Sequence, residues 1–226
     1  MRVVHDCADR NRPAPALVIV LPGALQQPED LVRAGFVEAV RQRALPIDLA
    51  LVDLDLRYIT DITDGTTLRQ VHDEVVQPAQ RGNYREIWLA GISIGGFVAL
   101  AYGDRYGANL AGLCLLAPYP GNRILTAEIA AAGGIARWQN SDRDDAERRV
   151  WQWLKTCRSQ PPMPAIHLGY GRDDRFASGQ RLMADAIGAE HVDSIAGGHD
   201  WPVWQQLWIN FLDRSRLGRA TSDQRA

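Results

Sequence analysis

Apolar runs alternate with segments of helical spacing along most of the chain, and this alternation restricts the fold more than any other feature. The run ALVIVL at 16–21 contains no polar residue, which is typical of a strand covered on both faces. Strands are predicted at 16–21, 47–56, 86–91, 110–118, 164–171 and 191–197, and helices at 28–43, 67–80, 95–106, 178–187 and 201–217. The pattern predicts an α/β fold, doubly wound, with a mostly parallel sheet of about six strands and helices on both faces.

Length and composition agree with a single domain. The 226 residues allow one large core, and a net charge of -2 argues against nucleic acid or an anionic membrane as a partner. Three widely spaced cysteines, with no C-x-x-C pair, encode neither a zinc site nor a disulfide framework. Polar residues and prolines precede the first long apolar run, unlike a secretory signal. We therefore expect a cytoplasmic protein without a metal or an organic cofactor.

Three segments depart from the alternation. Residues 119–160 have helical character and no strand pattern, and they are too long for an ordinary loop and too short for a domain. They predict a helical insertion over one end of the sheet. Residues 217–226 are expected to form a polar tail, and MRVVHD at 1–6 could supply a further strand.

One serine lies in a pattern that predicts a specific turn. In YREIWLAGISIGGFV, at 84–98, Ser93 is the centre of G-x-S-x-G, with a predicted strand before it and a predicted helix after it. The glycines make room for a strained turn that lifts the serine hydroxyl above the strand ends, beside a helix N-terminus that favours negative charge. The alternative is that Ser93 only caps the helix or occupies a packed turn.

A serine nucleophile needs a base, and the base is expected downstream in this architecture. His167 lies within a predicted strand and His191 begins another, so both are expected to be structural. His199 lies in AGGHDW, a glycine-rich loop between a strand and a helix, and is the best candidate.

The base in turn needs an acid that orients it. Asp173 and Asp174, in GRDDRF, directly follow the predicted strand 164–171. Either carboxylate could orient the base while the other solvates or caps the loop.

These motifs, in this order, resemble those of the α/β-hydrolase superfamily, in its small esterase-like branch, over about residues 16 to 215. The family pattern G-x-x-D matches G171-R-D-D174, which favours Asp174, and the family's histidine loop matches G197-G-H199. The resemblance implies a serine hydrolase that cleaves a small-molecule carboxylic ester or thioester through an acyl-enzyme. Ser93 would be the nucleophile, His199 the base and Asp174 the orienting acid.

The resemblance also implies an oxyanion hole and a lid. The donors would be the backbone N–H groups of Ile94 and Ala24, with Leu25 next in line, and residues 119–160 occupy the lid position. Pro22 replaces the family's usual histidine in the first of these loops, which leaves the shape of that loop open.

Two other functions use the same residues or the same fold. An acyltransferase would use the same triad with a different acceptor. A non-catalytic ligand-binding module of this fold would usually have lost a member of the triad.

Overall fold

The computed structural model describes residues 1–54, 65–82, 84–142, 145–156, 163–215 and 217–218. In these residues seven strands form one sheet in the order β1-β3-β2-β4-β5-β6-β7. The strands are β1 (Val3–Asp6), β2 (Ala16–Leu21), β3 (Ile47–Val52), β4 (Glu86–Ile92), β5 (Gly112–Leu116), β6 (Ala165–Gly171) and β7 (Val192–Ile195). Only β1 pairs antiparallel, with β3. The predicted mostly parallel sheet is confirmed, and residues 1–6 do supply a further strand, at its edge.

Helices connect the parallel strands. They are α1 (Pro28–Arg33), α2 (Phe36–Gln42), α3 (Thr66–Val71), α4 (Gln77–Arg81), α5 (Ile94–Tyr106), α6 (Arg123–Ala131), α7 (Ala146–Thr156), α8 (Ala177–Ile187) and α9 (Trp201–Arg214), and a π-helical turn, His72–Val76, joins α3 to α4. The single helix predicted at 28–43 is two helices, because Gly35 adopts a left-handed φ of 80° between them. The strand predicted at 47–56 ends at Val52, and positions 55 and 56 lie outside the described residues.

Two core layers pack against the two faces of the sheet. Successive side chains of β2 pack on opposite faces of the sheet. Leu17, Ile19 and Leu21 lie in the first core layer, and Ala16, Val18 and Val20 lie in the second. Side chains of α3 to α8 complete the first layer, and those of α1, α2 and α9 complete the second. This distribution confirms that helices cover both faces.

The predicted insertion at 119–160 contains α6 and α7 and is anchored by buried tryptophans. Trp138 and Trp151 are both buried, and the indole N–H of Trp151 donates to the Pro120 carbonyl at 2.8 Å. Glu128, on α6, accepts a hydrogen bond from the Trp138 indole at 2.8 Å and another from Arg148, on α7, at 3.0 Å. The two helices are therefore fixed to each other and to the loop that leaves β5.

The start of the predicted polar tail needs correction. Leu217 is buried in the second core layer and not exposed, because it packs with apolar side chains of that layer. Residues 219–226 lie outside the described part of the chain. None of the helices in the described part is both long and apolar enough to cross a membrane.

Candidate active site

Ser93 lies at a sharp turn between β4 and α5. β4 ends at Ile92 and α5 begins at Ile94, and between them Ser93 has a φ of 52° and a ψ of -115°. A positive φ outside glycine is uncommon and costs about 1–3 kcal/mol, so it marks strain that the surrounding structure maintains. This is the strand–turn–helix context that the G-x-S-x-G pattern predicts.

The glycines beside Ser93 leave the space that the turn requires. A Cβ atom on Gly91 would lie 2.3 Å from the Gly95 carbonyl oxygen. One on Gly95 would lie 2.4 Å from the carbonyl oxygens of Leu21 and Pro22. Neither position can carry a side chain without moving the backbone, so the predicted reason for both glycines is confirmed.

The turn is tied to the loop that follows β5. The Ser93 N–H donates to the Leu116 carbonyl at 3.0 Å, and the Ser93 carbonyl accepts from the Tyr119 N–H at 2.9 Å. A Cβ atom on Gly96 would lie 2.9 Å from the Cβ of Pro118. The start of the insertion therefore contacts the backbone of the candidate nucleophile.

His199 reaches Ser93 from the loop between β7 and α9. Its Nε2 lies 2.8 Å from the Ser93 Oγ, within the hydrogen-bonding reach expected of a nucleophile and its base. The rings of Phe176 and Trp204 meet the imidazole edge to face, with centroids 5.2 and 5.1 Å away. The next residue, Asp200, caps α9 by accepting a hydrogen bond from a backbone N–H. Ring packing and the helix start thus both restrict the orientation of the imidazole.

Asp174, and not Asp173, is the carboxylate at the histidine. Asp174 Oδ2 lies 2.7 Å from His199 Nδ1, and Oδ1 accepts from the Phe176 N–H at 2.8 Å. Burial opposes ionisation of Asp174, but the hydrogen bonds from His199, Phe176 and Gln180 outweigh it and hold its pKa below the ordinary value. Asp173 is exposed, and its Oδ2 accepts from the Gly197 N–H at 3.0 Å. It therefore holds the histidine loop against the end of β6.

The loop after β2 brings the other predicted backbone donors beside the turn. The carbonyls of Leu21 and Pro22 contact Gly95, so this loop lies against the first turn of α5. Within the loop, the Gly23 N–H donates to the side-chain oxygen of Gln26 at 2.6 Å. Among the described residues no acceptor takes the Ala24 N–H.

The next residue in this loop, Leu25, is 91% exposed and has a φ of 61°. Its exposed apolar side chain and its strained backbone both lie in the loop beside the turn. The roles of Ala24 and Ile94 as oxyanion donors remain predictions.

Comparison with known proteins finds a curated relative over part of the chain. No protein-family model matches the chain. An acetyl esterase from Caldicellulosiruptor saccharolyticus is 25% identical over 147 residues, which cover 56% of this chain and 53% of the esterase. The chain thus spans about half the length of the curated relative that it matches.

Solved structures match over much more of the chain. An S-formylglutathione hydrolase (FrmB) from Staphylococcus aureus has a TM-score of 0.63 at 14% identity, covering 89% of this chain and 81% of that one. Est1E from Butyrivibrio proteoclasticus has a TM-score of 0.60 at 14% identity and covers 93% and 92%. A monoacylglycerol lipase from Paleococcus ferrophilus has a TM-score of 0.61 at 11% identity and covers 93% and 97%.

The chain has the α/β-hydrolase fold. The fold that the sequence motifs predicted is therefore confirmed. The structure brings Ser93, His199 and Asp174 into one hydrogen-bonded chain at the ends of the parallel strands. Their catalytic roles remain predictions.

One side chain that contacts the Ser93–His199–Asp174 chain was not among the residues predicted from the sequence. Gln180, on α8, is fully buried, and its Nε2 donates to Asp174 Oδ2 at 3.2 Å and to the Pro118 carbonyl at 3.1 Å. Its Oε1 has no hydrogen-bond partner in the described residues. A signal was present, since Gln180 shares its helix face with the buried Met183 and Ile187.

The remaining histidines take no part in the hydrogen-bonded chain. His167, in β6, packs against Phe211, and burial lowers its pKa to about 4. His72 is 2.8 Å from the Tyr102 hydroxyl, and His191 is exposed. In the part of the chain that the structure describes, no cluster of three His, Cys, Asp or Glu side chains could hold a metal ion.

Proposed function

We propose that the protein is a serine hydrolase that cleaves a small-molecule carboxylic ester or thioester. The observation that carries this proposal is the continuous hydrogen-bonded chain from Ser93 Oγ through His199 to the buried Asp174. The acetyl esterase relative, and the hydrolases, esterases and lipases that share the fold, support the same reaction class.

In the first step Ser93 Oγ attacks the acyl carbon of the substrate. His199 Nε2 accepts the hydroxyl proton and then gives it to the departing alcohol or thiol, which leaves the acyl group on Ser93. The Asp174 carboxylate fixes the Nδ1–H tautomer and stabilises the imidazolium that forms between the two transfers. Its lowered pKa keeps it ionised for this task.

The tetrahedral intermediate carries a negative oxygen that needs hydrogen-bond donors. The N–H groups of Ile94 and Ala24 would supply them, since one follows the nucleophile and the other belongs to the loop beside it. A single such donor typically contributes about 100- to 1000-fold to the chemical step.

Water completes the cycle. His199 takes a proton from a water molecule, whose oxygen attacks the acyl carbon, and the carboxylic acid leaves while Ser93 recovers its proton. Transfer to another acceptor would use the same residues. We favour hydrolysis because the solved structures of the same fold are named as hydrolases, esterases and lipases. We also propose a cytoplasmic location, on the few cysteines.

Replacing the nucleophile tests this proposal. Ser93→Ala should reduce hydrolysis of 4-nitrophenyl acetate and butyrate by at least about 1000-fold, because triad members act as a unit. Ser194→Ala, at an exposed position in β7, is the matched control and should keep full activity. Full activity in a folded Ser93→Ala variant would end the proposal.

A further inference from the structure

A groove lies beside the triad, between α6 and the first two turns of α8. Its volume is about 720 Å³, within the range of about 300–1,000 Å³ typical of small-molecule sites. Ala127, Ala130 and Leu182 give part of its lining an apolar character. The groove can therefore hold a substrate portion with a carbon skeleton.

Three arginines line this groove without a counter-charge. Arg123, Arg175 and Arg181 are exposed, and none has a carboxylate partner among the described residues. Among the described residues, no aspartate or glutamate lines the groove. Two carboxylates behind the lining are engaged elsewhere: Glu147 is held by the Tyr119 hydroxyl and by the backbone and side chain of Asn122, and Asp174 accepts from the Phe176 N–H. The groove is thus a surface of concentrated positive charge.

Two aromatic residues separate the groove from the triad and touch both. Phe176 lines the groove, and its ring centroid lies 5.2 Å from that of His199. Tyr119 also lines the groove, and its N–H donates to the Ser93 carbonyl at 2.9 Å. A group bound in the groove would lie one aromatic ring from the reacting centre.

Two helix N-termini also lie at the groove. Asn122 caps α6, and Ser178 lies in the first turn of α8, and both residues line the groove. A helix N-terminus favours an anion because its first N–H groups lack intrahelical partners. The Leu125 and Phe176 N–H groups at these termini already bond Asn122 Oδ1 and Asp174 Oδ1, so it is the three arginines that favour an oxyanion over a neutral group.

We propose that this groove binds an anionic group of the substrate, so that the natural ester or thioester carries a phosphate or a carboxylate. This inference rests on the proposed hydrolase function. Arg123 and Arg181 pair with the anion, and the apolar lining accepts the carbon chain that links the anion to the scissile bond. Arg175, which lies 4.8 Å above the Phe176 ring, adds charge at the end nearer the triad.

Two matched substrate pairs test the proposal and distinguish the source of the anion. Mono-(4-nitrophenyl) glutarate against 4-nitrophenyl valerate places a carboxylate on the acyl side. Acetyl-CoA against S-acetylpantetheine places phosphates on the leaving group. The readout is the ratio of kcat/KM for the anionic member to that for the neutral member of each pair.

The wild-type enzyme should prefer the anionic member of at least one pair. The double variant Arg123→Gln/Arg181→Gln should lower that preference by about tenfold at low salt, since each exposed charge contact contributes about threefold. Added salt should lower it as well, because screening weakens exposed contacts. Arg85→Gln, an exposed arginine outside the groove, is the control and should keep the preference.

An unchanged preference in the double variant, or none in the wild type, would overturn the proposal. Failure of the hydrolase function is separable, because titration calorimetry of Ser93→Ala with acetyl-CoA and the glutarate monoester measures binding without turnover. Binding that weakens when the two arginines are also replaced supports the groove even if no ester is hydrolysed. An absence of binding, or binding that is unchanged when the two arginines are replaced, contradicts the proposed anion site.

Discussion

Gln180 offers a test of how the buried carboxylate of the site is controlled. Its amide nitrogen bonds Asp174 Oδ2 at 3.2 Å and the Pro118 carbonyl at 3.1 Å, whereas its oxygen is buried without a partner in the described residues. Gln180→Met conserves most of the volume and removes both donors together with the unpaired oxygen. The substitution therefore separates positioning of the carboxylate from packing.

The expected effects follow from the lost hydrogen bonds. A hydrogen bond to an ionised group contributes about 1.5–3 kcal/mol of stabilisation. We take the lower value for the Gln180–Asp174 bond, because it is 3.2 Å long and its acceptor oxygen also bonds His199. A loss of about 1.4 kcal/mol lowers kcat/KM about tenfold. Stability should change by less than about 2 kcal/mol, because removal of the unpaired oxygen offsets the lost bond to Pro118.

The pH dependence of kcat/KM provides a second readout. A purely structural role of Gln180 would leave this pH dependence unchanged. With one donor fewer, the pKa of the Asp174 carboxylate should rise toward its ordinary value, so the carboxylate is protonated at higher pH and the acid limb of kcat/KM should move to higher pH. The assay is hydrolysis of 4-nitrophenyl butyrate from pH 5 to 9. Gln206→Met, an exposed glutamine on α9, is the control. A folded Gln180→Met enzyme with wild-type kcat/KM and an unmoved acid limb would show that Gln180 does not position Asp174.

Two further predictions concern stability. In urea unfolding, Gly91→Ala should lower the free energy of unfolding by several kcal/mol or prevent folding. The control is Gly107→Ala, whose Cβ would have no neighbour closer than 3.6 Å and which should change that free energy by less than about 1 kcal/mol. Equal effects of the two substitutions would contradict the close-packed turn. His167 has a folded pKa of about 4 against an ordinary 6.5, so the unfolded chain binds its proton more readily. The free energy of unfolding should therefore fall by up to about 3 kcal/mol as the pH is lowered from 6.5 to 4. His167→Leu should remove this contribution to the pH dependence of stability. An unchanged pH dependence in His167→Leu would contradict a buried, neutral His167 ring.

The parallel sheet and the serine turn could be predicted because each leaves a local pattern. Strands buried on both faces read as continuous apolar runs, and ALVIVL became β2 with its residues alternating between two core layers. The strained backbone at Ser93 needs glycines at fixed offsets, so the turn could be read from five residues. The break at Gly35 was missed because helical spacing continues on both sides of it.

Long-range features of the site could not be predicted from the residues alone. Asp173 and Asp174 are neighbours after the same strand, and only the turn that follows β6 directs Asp174 to His199 and Asp173 to the Gly197 N–H. The contact of Gln180 with Asp174 joins α8 to a loop through tertiary packing. A spacing pattern can show that Gln180 faces the core, but it does not identify the partner.

Active-site labelling shows directly whether Ser93 is the nucleophile. The protein is treated with a fluorophosphonate, and the modified residue is identified by intact-mass and peptide mass spectrometry. We expect one adduct on Ser93 and none on the folded Ser93→Ala variant, because only a serine activated by His199 attacks the phosphorus. An unmodified wild-type protein, or an adduct that persists in Ser93→Ala, would contradict the assignment of Ser93 as the nucleophile.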